Sequence, residues 1–400
     1  MGNIGLCGAT LVTSDRLCRA DLYLAETRLV AKQPHNTSWD LDVSDHWIFP
    51  GLVNAHDHLQ LNCIPHLPQR GEFSNSYAWA RAFPPYFGDA AVAAALAVDQ
   101  GLRFRHGALK NLLGGATTVA HHDPLLTADD EPGFPVRLLR DFGWSHSLGL
   151  GAPAEMASGL ASYGPPVLAS FAATPAHHPW MIHLAEGTDR LAASELQILE
   201  SMGCLARNTV LIHGVGLSAT QIQQVIDLSA GVVWCPSSNL RILSRTLDPR
   251  RLFDAGKLAL GTDSRLTGSR DLLAELRVAA DHSDLTPREL LRLVTGAGAA
   301  MLRLGDVGGL AVGQRADLLV LRRNGDDPYR QLINTQRGDI RAVVRGGVPM
   351  IADPDFAAWF AALGIDVIRI ELDGHAKLLS SANRGAIALE PGARLVRSGG

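Results

Sequence analysis

From about residue 47 onward, short runs of β-branched and apolar residues alternate with longer Ala-, Leu-, Glu- and Arg-rich stretches of helical period. The runs are Trp47–Val53, Thr117–His121, Ser147–Leu150, Val167–Ala172, Trp180–Leu184, Thr209–His213, Gly231–Trp234 and Leu258–Gly261. Between them, Ala90–Leu113, Asp189–Met202, Ser218–Leu228, Asp248–Ala255 and Ser269–His282 read as helices. Strand-then-helix alternation makes parallel β/α units. The run count predicts an α/β chain built on a (β/α)8 TIM-like barrel, with a doubly wound open sheet as the alternative. The segment before Trp180 is short and rich in Gly, Pro and Ala, so the fourth unit should be shortened and its helix short or missing. The connection from His58 to Thr117 is long instead. It carries Phe73, Tyr77, Trp79, Phe83, Tyr86 and Phe87, which suit either a lid or a helix packed on the barrel.

Both ends of the chain have another character. Residues 1–45 read as short strands and turns, Gly308–Leu321 as a turn and strand, and Ile340–Met350 as a hairpin. This predicts a small β-domain from residues 1–48 and 306–352 flanking a barrel at 49–305. Residues 353–400 are an extension of unknown role. A formal net charge of −4 gives no basic surface for nucleic acid or anionic lipid. The longest apolar run, Ala90–Val98, is too short to span a bilayer. Five scattered cysteines without a C-x-x-C pair, and no basic start followed by a sustained apolar stretch, predict a cytoplasmic protein.

The chemistry gathers at strand ends. Asn54-Ala-His-Asp-His58 closes the first barrel strand, where residues two apart share a face, so both imidazoles can reach one ion. His183 ends the fifth run, His213 the sixth, and Asp263 follows the eighth. Strand C-termini are where a barrel carries its active site. Imidazoles plus one carboxylate suit zinc or another first-row divalent ion, with a position left for water. Trp79, His122, Asn239 and Arg241 are candidates for substrate contact.

Pro50–His58, Ile182-His-Leu-Ala-Glu186, Ile212-His213, Cys235–Arg241 and Gly261-Thr-Asp-Ser264 together resemble the amidohydrolase superfamily. The nearest branch is that of cytosine deaminase and the chlorohydrolases (triazine hydrolases). The resemblance implies His56, His58, His183 and Asp263 as metal ligands, Glu186 as proton shuttle and His213 as support for the reacting centre. The pattern departs from the family at Asp57, where Thr or Ser is commoner; a role behind the ligands is expected there. Binuclear relatives bridge two ions with a carboxylated lysine on the fourth strand. No Lys lies between Lys110 and Lys257, which implies one ion, zinc first and iron or manganese as alternatives.

The implied activity is hydrolysis by metal-activated water, with deamination of a small nitrogen heterocycle leading. Cleavage of an amide, urea or carbon–halogen bond is the alternative, and a scaffold without activity the remote one. A small-molecule substrate is implied, with a homo-oligomer left open.

Overall fold

The computed structural model describes residues 3–33, 37–66, 73–126, 133–150 and 164–396. Eight short parallel strands form its centre. They are β1 (Leu52–Asp57), β2 (Ala116–His121), β3 (Arg137–Leu138), β4 (Gly143–Ser145), β5 (Trp180–Leu184), β6 (Thr209–His213), β7 (Gly231–Trp234) and β8 (Leu258–Leu260). Strands β3-β2-β1 make one sheet and β4 to β8, in sequence order, another. The amides of Thr262 and Asp263 donate to the His56 carbonyl at 3.0 and 3.1 Å, tying the end of β8 to β1. Because all eight run the same way, their C-terminal ends gather at one edge.

Four sequence expectations need correction. The run Trp47–Val53 is two strands. His46–Pro50 pairs antiparallel with Leu318–Arg322, and after Gly51 the chain enters β1. Only glycine fits there, since a Cβ would lie 2.3 Å from Thr117 Oγ1. Ser147–Leu150, expected as the third strand, is not one; the fourth strand, Gly143–Ser145, lies just before it, and the two-residue β3 escaped the pattern altogether. Val167–Ala172 is not a strand: residues Val167–Ala173 form a helix that starts directly after Pro165-Pro166, with only Ser170 buried. A short apolar run does not distinguish strand from helix, and the two prolines before this one start a helix. Ala90–Leu113 breaks into two helices at Val98-Asp99, because the Asp99 side chain caps the amide of Leu102 and restarts the ladder.

Three helices bear on the site: α1 (Ser76–Ala82), α2 (Gln100–Leu113) and α3 (Arg190–Ser201). Helices α1 and α2 fall in the long connection after β1, and α3 follows β5. The remaining strands pair mostly antiparallel, with Thr10–Val12 parallel to His46–Pro50 and Asn3–Cys7 parallel to Thr37–Asp42. Thr10–Val12, His46–Pro50, Leu318–Arg322, Ile340–Arg345 and Val348–Ala352 belong to a nine-stranded sheet, so strands from both chain ends pair directly. Val367–Leu372, His375–Ser380 and Ala393–Leu395 extend that sheet at one side. A four-stranded sheet from residues 3–42 packs on it through Ile4, Leu6, Leu24, Leu318, Val320 and Trp359. Among the described residues, no helix is long and apolar enough to cross a membrane.

Candidate metal and catalytic site

Alternation along β1 turns His56 and His58 to one face, and His183 reaches the same point from the next-to-last residue of β5. Nε2 of His183 lies 3.2 Å from Nε2 of His56 and 3.2 Å from Nε2 of His58. Asp263 Oδ1 stands 3.9 Å from Nε2 of His56 and 3.8 Å from that of His58. All four side chains are buried, and Asp263 is fixed by the hydroxyls of Ser238 (2.6 Å) and Thr267 (2.9 Å).

The far sides of two rings decide their protonation. Nδ1 of His58 donates to Asp123 Oδ2 at 2.7 Å, and Nδ1 of His183 donates to the His146 carbonyl at 2.7 Å. Each neutral ring then turns a bare Nε2 lone pair towards the other, and two lone pairs at 3.2 Å repel unless a positive charge sits with them. Burial disfavours charge on His58, but Asp123, Asp263 and Asp57 outweigh it and push its pKa up to about 9. Burial and the neighbouring imidazoles push His56 and His183 well down. The cluster is built for positive charge at one point, and three imidazoles with one carboxylate fit a divalent ion there. The Asp123–His58 contact is of the kind that, at a metal site, orients a histidine and raises its basicity.

Asp57 faces the other way, into a buried network. Its carboxylate pairs with Lys110 Nζ of α2 at 2.9 Å and accepts from Asn111 (2.7 Å) and Asn62 (2.8 Å). Thr262, next to Asp263, donates its hydroxyl to Asp57 at 3.2 Å.

Glu186 and His213 sit beside the tetrad. His213 Nδ1 donates to Asn239 Oδ1 (2.8 Å), leaving its Nε2 at 3.5 Å from Glu186 Oε1. Burial pushes the Glu186 carboxyl above the usual range, with His213 opposing. Ala185, His213 and Asp263 all have left-handed backbone, with φ of 53, 78 and 54°. Conformations that L-residues disfavour persist where the surroundings force them, and such sites cluster at functional positions.

A cavity opens above these groups. His58, His183, Glu186, His213 and Asp263 form its floor, with Trp79, Tyr77, Leu61, Ile242 and Leu266 as apolar wall. Of the four substrate-contact candidates, only Trp79 lines it. His122 is fully buried, stacked on His183 at 4.4 Å and bonded through Nε2 to the Ser145 carbonyl at 3.1 Å. The donors that lie close enough to share an ion fall into two overlapping groups, His56 with His58 and Asp263, and His56 with His122 and His183. Asn239 orients His213, and Arg241 lies away from the lining. Sequence reading missed Ser76, whose amide donates to the Glu186 carbonyl at 2.9 Å, and Glu195, which accepts from Tyr77. No motif marks either, because their partners are remote in sequence.

Residues 153–350 match the model of the amidohydrolase family, a span that contains His183, Glu186, His213 and Asp263 and stops short of His56 and His58. The chain is similar to a 5-methylthioadenosine/S-adenosylhomocysteine deaminase of Halobacterium salinarum, 27% identical over 70% of this chain and 74% of the relative. It is likewise similar to an 8-oxoguanine deaminase of Pseudomonas aeruginosa, 25% identical over 78% of this chain and 84% of the relative. Its fold resembles a zinc-complexed atrazine chlorohydrolase from Arthrobacter aurescens, with a TM-score of 0.70 at 21% identity over 90% of this chain and all of the other. The likeness shows a TIM-barrel-type α/β fold.

Proposed function

We propose that this chain, an amidohydrolase-family protein over residues 153–350, is a metal-dependent hydrolase whose main reaction is deamination of a small nitrogen heterocycle. The observation that carries the reading is the convergence of three imidazole Nε2 atoms and one carboxylate oxygen at the floor of a cavity, beside a glutamate–histidine pair. His56, His58, His183 and Asp263 would hold one divalent ion, zinc in the first instance. When bound, the ion supplies the Lewis acidity that makes water nucleophilic near neutral pH.

The protein's own groups then handle protons and charge. Glu186, its pKa raised by burial, holds a proton at Oε1 to higher pH than an exposed glutamate and can release it to a departing nitrogen. His213, locked by Asn239 with Nε2 towards that carboxylate, shares the proton and faces the reacting carbon. The apolar wall, Trp79 included, excludes water and suits a flat, uncharged ring face.

In this reading residues 49–305 are the hydrolase barrel, closed between β3 and β4 as well as between β8 and β1. Residues 1–48 and 306–352 are the small β-domain, which 353–400 extend. A compound panel tests the function: 8-oxoguanine, 5-methylthioadenosine, S-adenosylhomocysteine, adenosine, cytosine, atrazine and simple cyclic ureas. The zinc-reconstituted protein is assayed for ammonia, halide and product mass. Ammonia release from a heterocycle is expected. Halide or ring-opened product alone would replace deamination with the other hydrolytic reaction, and no turnover of any compound would count against the proposal.

A further inference from the structure

His183 and Glu186 both line the cavity, yet Glu186 stands three residues after His183. Side chains alternate along a strand, so β5 continued past Leu184 would carry Glu186 to the face opposite His183. The reversal is made at Ala185, whose φ of 53° is left-handed and disfavoured for alanine. The Ala185 amide donates to Glu195 Oε2 of α3 at 2.6 Å, and the Ala185 carbonyl accepts from the Gly216 amide at 2.8 Å. The other oxygen of Glu195 accepts the hydroxyl of Tyr77, a cavity-wall residue on α1, at 2.5 Å. Just past the bend, the Ser76 amide donates to the Glu186 carbonyl at 2.9 Å, so α1 and the bend meet again there. Glu195 itself is buried.

We propose that Glu195 is a positioning residue for proton transfer: its carboxylate bridges the Ala185 amide and the Tyr77 hydroxyl and so holds the bend that turns Glu186 into the cavity beside His213. The inference rests on the reading of Glu186 as proton carrier. Glu195 belongs to α3, whose Leu196 and Leu199 are packed in the main core, so the bridge stands on a rigid element. What the bridge needs is reach and an acceptor facing Ala185, not charge. Glutamine supplies both, because its carbonyl oxygen accepts from the amide while its NH2 donates to the Tyr77 oxygen, a hydroxyl that works either way. Aspartate keeps the charge but is one carbon shorter, so it cannot span both donors.

The test uses the full-length, zinc-reconstituted protein and the panel compound it turns over fastest. Glu195→Asp should lower kcat about 10- to 100-fold, the range for a misplaced reacting group, with KM and zinc content little changed. Glu195→Gln, which keeps the reach and loses the charge, should rescue most of that loss. Normal kcat in Glu195→Asp beside a slow Glu186→Gln overturns the role of Glu195 and leaves that of Glu186 standing. Normal kcat in Glu186→Gln overturns the reading of Glu186 itself. A Glu195→Gln variant as slow as Glu195→Asp would mean that the carboxylate acts through its charge, against the proposal. A crystal structure of Glu195→Asp decides independently of turnover: Ala185 should leave its left-handed conformation and Glu186 should turn away from His213, and an unmoved bend refutes the proposal.

Discussion

Among single residues, Asp123 does most for the cluster without joining it. Its carboxylate accepts from His58 Nδ1 and from Gln60 Nε2, at 2.7 and 2.6 Å. Burial raises its pKa, but the His58 charge and these bonds outweigh it and hold the pKa at about 2. Asp123→Asn should keep the fold yet weaken zinc binding about 10- to 100-fold, the usual cost of losing such support. Competition against a chromophoric chelator measures it, and unchanged affinity would mean that His58 is not a ligand. The floor of the site was legible in the sequence because alternation and strand-end placement are local: His56 and His58 share a face whatever the rest does. Tyr77 and Glu195 stand 118 residues apart, so their pairing follows only from tertiary packing. His122 stood at the right strand end but sank behind His183, since strand position does not set depth.

Among elements, α2 couples most directly to the site. Lys110 is fully buried and bonds Asp57 and Thr262, behind β1 and the end of β8. Lys110→Met would strand the Asp57 carboxylate, with an expected loss of about 3–5 kcal/mol in urea unfolding. The double variant Asp57→Leu/Lys110→Met should recover most of that loss, because the cost lies in the uncompensated charge. A loss below about 1 kcal/mol for the single variant would show that water reaches the pair. The long strands β2, β5 and β6 were readable as apolar runs. The two-residue β3 carries too little pattern, and the helix Val167–Ala173 was misread because six apolar residues suit either structure.

At the scale of the whole molecule, the C-terminal segment reaches back to the edge that carries the candidate site. Glu390 is buried and accepts from Arg265 (3.0 Å), Arg337 and His106 of α2 (2.8 Å). Arg265 lies two residues past Asp263, and its amide donates to Asn62 of the β1 connection at 2.9 Å. One carboxylate thus joins the last strands of the chain to the loop that carries Asp263. Burial raises the Glu390 pKa, but the hydrogen bond from His106 and the charges of Arg265 and Arg337 outweigh that and hold it far below the usual range. Its contribution to stability is therefore full above the ordinary glutamate pKa of about 4.3 and is lost as the pH falls below it. Glu390→Gln should cost about 3 kcal/mol at pH 7 and progressively less in acid, as followed by urea unfolding at several pH values. A cost independent of pH would mean that the carboxylate charge does not hold the cluster. Nothing in the sequence marked this tie, because each partner is an ordinary charged residue until the fold gathers them.

The central claim is one divalent ion held by four side chains, and anomalous diffraction from zinc-reconstituted crystals tests it most directly. The account predicts a single strong zinc-edge peak per chain, about 2.0–2.2 Å from Nε2 of His56, His58 and His183 and from a carboxylate oxygen of Asp263. Two peaks, or one centred on His122 in place of Asp263, would contradict it.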